Sequence, residues 1–324
     1  MTALRNVRAL TAALLVVKRG ERGAVAFGGA IPRSLESGVQ MPGFPVEAFN
    51  ALGAGDAFMA GFLRGWLRGE PLESCGRYAN GCGALVVSRH GCAPAMPSAQ
   101  ELRHFLDRGS ATARVRDDPV LEHLHRAATR RAVATPLHVL AFDHRIQLEA
   151  LAASHGADPT RIAAFKGLVA EAFVRVGEGR PGTGAIVDDR YGEAILPRLT
   201  ARGYWIARPV ERPGSVPLAF EAGDNVGLAM RAWPTEHVAK CLVAFHPDDA
   251  EELRAAQLAR MRTIAEACVA TGHDLLLEVI PPARGSTDPT VVARALEAIY
   301  AAGVKPDWWK LPPQVQPAAW RSIG

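Results

Sequence analysis

No apolar run in this sequence reaches the roughly 20 residues that a bilayer-spanning helix needs, so a helical membrane protein is excluded. The longest imitation, Leu10 to Val17 behind Arg5 and Arg8, resembles a short signal peptide. It runs straight into Lys18-Arg19-Gly20-Glu21-Arg22-Gly23 without a cleavage-like region, so strand, turn, strand is the reading adopted. Cysteine is sparse: Cys75, Cys82, Cys92, Cys241 and Cys268 show neither the close pairing of a zinc knuckle nor the even count of a secreted scaffold. Reduced thiols in a cytoplasmic protein are expected. Charge of one sign is also scarce, with a formal excess of only +4 and basic residues dispersed among Asp and Glu. A nucleic-acid partner is therefore not expected, and no stretch interleaves basic and aromatic residues as a nucleic-acid groove does. His237, His246 and His273 lack the short regular spacing of a metal site, so no metal centre is expected. What is abundant is apolar residues, 48% against 22% charged, the composition of a soluble globular enzyme. At 324 residues it has room for two or three domains, or for one barrel with an extension.

The pattern changes once along the chain. The first segment predicts strands at Leu14 to Val17 and Gly23 to Phe27, then a loop at Asn50 to Gly55. A helix follows, carrying Phe58, Phe62 and Trp66 on one face. Further helices are predicted from Leu72 to Val87 and from Glu101 to Leu106. Gly109 to Asp117 is polar and charged, the best boundary in the sequence. Beyond it, short apolar strands alternate with longer helices. The strands are Leu137 to Phe142, Gly184 to Val187, Tyr204 to Ala207, Val238 to Phe245, Leu275 to Ile280 and Trp308 to Leu311. The clearest helices are Ala250 to Thr271 and Val291 to Ala302, the latter stopped by Gly303. Such alternation implies parallel βα units.

Two groups of residues have chemistry to offer. In Asn50-Ala51-Leu52-Gly53-Ala54-Gly55-Asp56, small residues precede a helix start, where free N–H groups can bind a phosphate. An aspartate beside that anion can take the proton of a substrate hydroxyl. On the residues alone, a plain tight turn with a capping aspartate is an equal reading. The second group is charged residues within or at the ends of apolar strands: Asp143, Asp188, Lys240, Glu278 and Lys310. A charge in a strand buried on both faces is costly unless paired. Lys240, Glu278 and Lys310 on separate strands thus point to one interior site, either a structural ion pair or a lysine tuned for imine formation. Trp308, on the side of Lys310 by strand alternation, would help lower its pKa, with Lys240 as a second cation. Arg190, Arg208 and Arg212 lie at or after strand ends, where they can hold a phosphate or carboxylate. Arg130 and Arg131 read as a solvated run, and the tryptophans by default as core.

Residues 46 to 92, with the run Arg77 to Val87, resemble the C-terminal part of the PfkB carbohydrate kinase family. The resemblance implies that Asp56 is the catalytic base and that the amides of Gly53, Ala54 and Gly55 form the anion hole. It places Lys18 and Gly20 in the hairpin beside the nucleotide and Asn80 near the adenine, with helix packing as the other reading of Asn80. ATP with Mg2+ would be the phosphoryl donor. The run Ser88 to Pro97 resembles the 5-dehydro-2-deoxygluconokinase branch in its long bacterial form, which implies phosphorylation of 5-dehydro-2-deoxygluconate. Residues 135 to 315 resemble the class I aldolases that include tagatose-bisphosphate aldolase, a (β/α)8 barrel. The matching stretches are Ala141 to Arg145, Asp188 to Gly192, Lys240, Leu277-Glu278 and Lys310. That resemblance implies Lys310 as the Schiff-base residue without a cofactor, Glu278 as proton-transfer partner, and Lys240 and Asp143 as tuning and orienting groups.

The expected architecture is α/β throughout: a partial kinase segment over 1–107, a linker over 108–125 and an incomplete barrel over 126–324. Both ends are expected to be truncated relative to those families, leaving an impaired kinase and exposed sheet edges that invite self-association or a complementary polypeptide. The expected ligand is a sugar acid or phosphosugar. The second unit either cleaves the phosphosugar or only binds it.

Overall fold

The computed structural model describes residues 1–129, 136–284 and 288–323, so the Arg130-Arg131 run lies outside the described residues. The chain divides into two compact units, Met1–Arg130 and Arg131–Gly324. Both are α/β.

In the first unit, helix α1 (Thr2–Leu10) precedes a three-stranded antiparallel sheet in the order β1 (Leu15–Lys18), β2 (Ala24–Phe27), β3 (Val39–Met41). The strand-turn-strand reading describes β1 and β2, whereas α1 and β3 were not anticipated. Helices α2 (Ala54–Trp66) and α3 (Leu72–Val87) pack over the sheet, and Phe58 and Phe62 join Met41, Cys75 and Ala79 in the core between them. Trp66 continues the aromatic stack on Phe62 but is itself largely exposed.

Helices α4 (Ala99–Arg108) and α5 (Pro119–Thr129) complete this unit. Here the expected linker over 108–125 is corrected, because these residues belong to the folded first unit. Arg114 and Arg116 both grip Glu47, at 2.7 and 2.6 Å. Asp118 accepts the Val120 and Leu121 amides at the start of α5, and Leu121 is buried with Leu85 and Phe105. The polarity that suggested a linker is that of a helix cap and an ion-pair clamp.

Among the described residues the second unit has six parallel strands, each paired with its neighbours in sequence: β4 (His138–Ala141), β5 (Thr183–Ile186), β6 (Trp205–Pro209), β7 (Val238–Val243), β8 (Leu275–Val279) and β9 (Trp308–Lys310). Between them run α6 (Ile146–Ser154), α7 (Arg161–Gly177), α8 (Asp189–Gly192), α9 (Leu196–Thr200), α10 (Val226–Met230), α11 (Glu251–Thr271) and α12 (Val291–Ala301), with α13 (Pro317–Ile323) after β9. All six strands match the sequence reading to within a few residues.

The sheet curls. Strands lie about 4.8 Å apart, so β6 and β9 would be roughly 14 Å apart in a flat sheet. Yet the Trp205 and Trp308 rings meet at 5.7 Å. On the concave face, Trp308 packs with Ile186, Ala207, Val238 and Leu276, while its neighbour Trp309 lies among the outer-face residues beneath α11 and α12. β7 and β8 are buried on almost every residue, which is the environment expected for inner parallel strands.

Candidate functional site

One layer above the Trp308 cluster, side chains from five strands or strand ends converge on the concave face. Lys240, two residues past Val238 on β7, sits among three carboxylates: Asp143 at 3.1 Å, Glu211 at 3.2 Å and Glu278 at 3.0 Å. Glu278, two past Leu276 on β8, uses its other oxygen to pair with Lys310 at 2.7 Å. Period-two alternation along each strand puts these groups on one face. Four of the five charged strand residues read from the sequence, Asp143, Lys240, Glu278 and Lys310, are therefore brought together. They line a cavity of about 390 Å³ with His144, Arg145, Arg212 and the 213–216 segment.

The two lysines differ sharply. The Lys240 side chain is 3% exposed and that of Lys310 is 39% exposed. Burial alone would drive Lys240 toward neutrality, but Glu211, Asp143 and Glu278 together hold its ammonium above the ordinary lysine range. Burial likewise pushes the Asp143 carboxyl up, and the charge and hydrogen bond of Lys240 more than reverse it, leaving Asp143 below the usual aspartate value. Lys240 is a fixed cation. Lys310, at the mouth with a single carboxylate beside it, is the amine open to a ligand. Trp308 lies on the same face, packed on Trp205, with its indole N–H donated to Asp274.

Sequence reasoning missed Glu211. It follows β6, is almost wholly buried, accepts from Arg145 and Lys240, and receives the Leu242 amide. Burial raises its carboxyl from the ordinary value against the pull of Lys240 and Arg145. A strand-end carboxylate in Pro209-Val210-Glu211 was the available signal. The same network runs outward through Arg145 and Arg190, which share Glu221, to Glu149 and Tyr191. Asp188 instead pairs with the fully buried Lys166 of α7 and caps α8 through the Tyr191 amide. Arg208 holds Asp189 with both ends of its guanidinium and stacks over Trp233. The three histidines have separate partners: Thr200 for His237, Asp248 for His246 and Thr271 for His273.

In the first unit, Gly53 takes the left-handed conformation at φ +83° immediately before α2, and Asp56 is exposed in the first turn. A Cβ on Gly53 would lie 2.5 Å from Cys92 Sγ, and one on Gly55 would lie 3.1 Å from Lys18 Nζ. The Lys18 ammonium thus hangs over the helix start, a small cradle of N–H groups, helix dipole and cation. Gly20 lies in the turn after β1, with Gly23 donating to its carbonyl. Asn80 is buried and donates to the Met41 carbonyl, which ties α3 to β3. Gly53→Ala is expected to destabilise the first unit by about 1–3 kcal/mol, because both the backbone conformation and Cys92 oppose a methyl group. Thermal unfolding followed by far-UV circular dichroism checks this, and an unchanged midpoint would show that the turn relaxes freely.

Among the described residues no helix is long and apolar enough to cross a membrane. Among the described residues no cysteine forms a disulfide.

Comparison with known proteins also divides the chain in two, but at residue 100 and not at the 130/131 boundary of the compact units. Residues 2–99 match the pfkB family of carbohydrate kinases. Residues 101–324 match the family described as "Uncharacterized protein conserved in bacteria (DUF2090)". An ATP-dependent ribose-1-phosphate kinase from Halopiger xanaduensis is 48% identical over 65 residues, covering 20% of this chain and 22% of the relative. A 5-dehydro-2-deoxygluconokinase from Geobacillus thermodenitrificans is 30% identical over 97 residues, 29% of this chain and 27% of the relative. A solved nucleoside kinase of the ribokinase family from Methanocaldococcus jannaschii is similar at 26% identity and a TM-score of 0.26, covering 29% of this chain and 30% of that one. The chain spans about a quarter of the length of these curated relatives. By the family model that matches most of its length, this chain belongs to the DUF2090 family, with a pfkB-family carbohydrate kinase region ahead of that domain.

Proposed function

We propose that the second unit is a lysine-dependent carbonyl enzyme of class I aldolase chemistry, with Lys310 as its Schiff-base residue. The observation that supports it is the pair of lysines sharing Glu278 across one cavity, one locked as a cation and the other at the mouth. Lys310 Nζ would attack a ketone carbon, and loss of water would give an iminium. Glu278, within 2.7 Å, is the group to take the proton that Lys310 gives up. The buried Lys240, held by Asp143, Glu211 and Glu278, fixes the position of the Glu278 carboxylate beside Lys310.

The substrate proposed is 6-phospho-5-dehydro-2-deoxygluconate. With its ketone held as iminium, the carbinol two carbons away loses its hydroxyl proton and becomes an aldehyde as the C–C bond between them breaks. The bonding electrons pass into an enamine on Lys310. Protonation and hydrolysis of that enamine release dihydroxyacetone phosphate, and the other product is malonic semialdehyde. A (β/α) barrel-like architecture belongs to the same proposal. The test is borohydride reduction with dihydroxyacetone phosphate followed by peptide mass mapping. Adduct on Lys310 is expected. Adduct on Lys240 would mean that the two lysines have been assigned the wrong way round. Tight binding with no adduct would favour a phosphosugar-binding domain without turnover.

A second reading concerns the first unit, and the observation that favours it is the Lys18 ammonium above the Gly53–Asp56 helix start. We propose that this unit carries the ATP-side machinery of a kinase for 5-dehydro-2-deoxygluconate. The Gly53, Ala54 and Gly55 amides and Lys18 would hold phosphate of ATP with its Mg2+, and Asp56 would take the proton of the sugar hydroxyl. Gly20 would lie near the nucleotide, and Asn80 would shape its pocket through β3. Asp56→Ala is expected to lower any ATP consumption with that sugar acid by at least about a hundredfold. Equal rates in both proteins would remove Asp56 as the base. The setting is proposed to be cytoplasmic. A second copy or a complementary polypeptide is proposed to cover Val139 and Leu140, which are exposed on β4.

A further inference from the structure

The floor of the second-unit cavity is electrically balanced. Asp143, Glu211 and Glu278 face Lys240, Lys310 and Arg145, each in contact with an opposite charge. A doubly charged phosphate ester finds no spare cation there once Lys310 is engaged with a carbonyl. The rim differs. After Glu211 the chain forms a short excursion that returns on itself, with Glu211 bridged to Phe220. The Arg212 amide donates to the Ala219 carbonyl at 2.7 Å, and the Glu221 amide donates to the Val210 carbonyl at 2.9 Å. Leu218 and Phe220 are buried beneath it, and the Leu218 amide donates to the Gln257 side chain at 2.8 Å. Ser215 closes the tip by donating its amide and hydroxyl to the Arg212 carbonyl. Arg212 is thus carried on an anchored backbone, at the wall of the cavity.

The neighbouring arginines at this end of the sheet are ion-paired. Arg145 holds Glu211 and Glu221, Arg190 holds Glu149 and Glu221, and Arg208 holds Asp189. Among the described residues, the Arg212 guanidinium has no hydrogen-bond or ion-pair partner. His144 and Gln147, from the segment after β4, share the cavity wall with it and are exposed. A planar fork of donors, a ring nitrogen and an amide around an otherwise neutral cavity suit one kind of ligand group.

We propose that Arg212, with His144 and Gln147, forms a phosphate-monoester subsite that sets which ketone reaches Lys310. This rests on the Schiff-base reading of the cavity, and extends it by assigning the anionic end of the substrate to the excursion after β6. The reacting carbonyl lies at the floor and the phosphate at the rim, so a ketone lacking the anionic group is bound by fewer contacts. Arg212 is a specificity-determining residue and takes no part in bond making.

Two measurements on the full chain test it. In the first, phenylglyoxal modification is followed by peptide mass mapping with and without inorganic phosphate. Phosphate is expected to slow modification of Arg212 at least about fivefold. Absence of protection overturns the subsite, as does protection by malonate but not by phosphate, which would make it a carboxylate site. In the second, borohydride trapping on Lys310 is compared for dihydroxyacetone phosphate and dihydroxyacetone. Arg212→Gln is expected to reduce the preference for the phosphorylated ketone by about tenfold or more, the usual effect of losing hydrogen bonds to a charged group. An unchanged preference overturns the assignment. If neither ketone gives an adduct, the Schiff-base reading fails, and the protection measurement alone decides the subsite.

Discussion

Lys240→Met is expected to destabilise the second unit by about 3–5 kcal/mol, the largest stability loss of any single change in this site. The reason is the company that the ammonium keeps. Asp143, Glu211 and Glu278 are all largely buried, and removing their shared cation leaves like charges facing one another with too little counter-charge. Urea unfolding followed by tryptophan fluorescence is the suitable measurement, because Trp205, Trp233, Trp308, Trp309 and Trp320 lie in this unit and only Trp66 in the other. The pH dependence has a definite sign. The folded-state pKa of Lys240 is raised above its unfolded value of about 10.5, so its contribution is fully present below that pH and is lost only as pH rises through the folded value. The Lys240 contribution should therefore be flat between pH 7 and about 10. A loss under about 1 kcal/mol would show that the three carboxylates are neutral or solvated, contrary to the geometry.

Lys310→Ala should behave in the opposite way. Its side chain is partly exposed and makes one ion pair, so its removal is expected to cost less than about 1 kcal/mol of stability. Imine formation with dihydroxyacetone phosphate should disappear, and cleavage of the phosphorylated keto acid should fall at least about a thousandfold, because no other amine at the mouth can replace it. The pair of variants separates structure from chemistry: position 240 governs unfolding and position 310 governs the adduct. Trapping that survives in Lys310→Ala would refute the assignment.

The second unit was legible because its strands are short and apolar and several are separated by long helices such as α7, α11 and α12, so length and composition agreed. Its site was legible because a charge inside an apolar strand is conspicuous: Lys240 in Val238 to Val243 and Glu278 in Leu275 to Val279 announce themselves. Glu211 did not, since it lies past Pro209 in a polar stretch, and only the return of Phe220 onto it reveals that it is interior. Lys166 was hidden for a related reason. On an amphipathic helix a lysine reads as solvent-facing, and its burial against Asp188 is decided by tertiary packing. In the first unit, β3 is three residues long and carries no period of its own. The supposed linker failed through composition: Arg114, Arg116 and Asp118 are polar because they clamp and cap, and the same letters would serve a loop.

The strictly sequential strand order has a consequence for synthesis. A growing chain can add each strand to an edge already in place, without waiting for a distant segment, so closure costs stay local. The charges of the site then arrive in the order Asp143, Arg145, Glu211, Lys240, Glu278, Lys310. Negative and positive alternate, so the running formal charge of these six groups never exceeds one. Moving Lys240's partner role to a residue after Glu278 would leave two carboxylates facing each other on a ribosome-bound intermediate, a fault invisible in the finished fold.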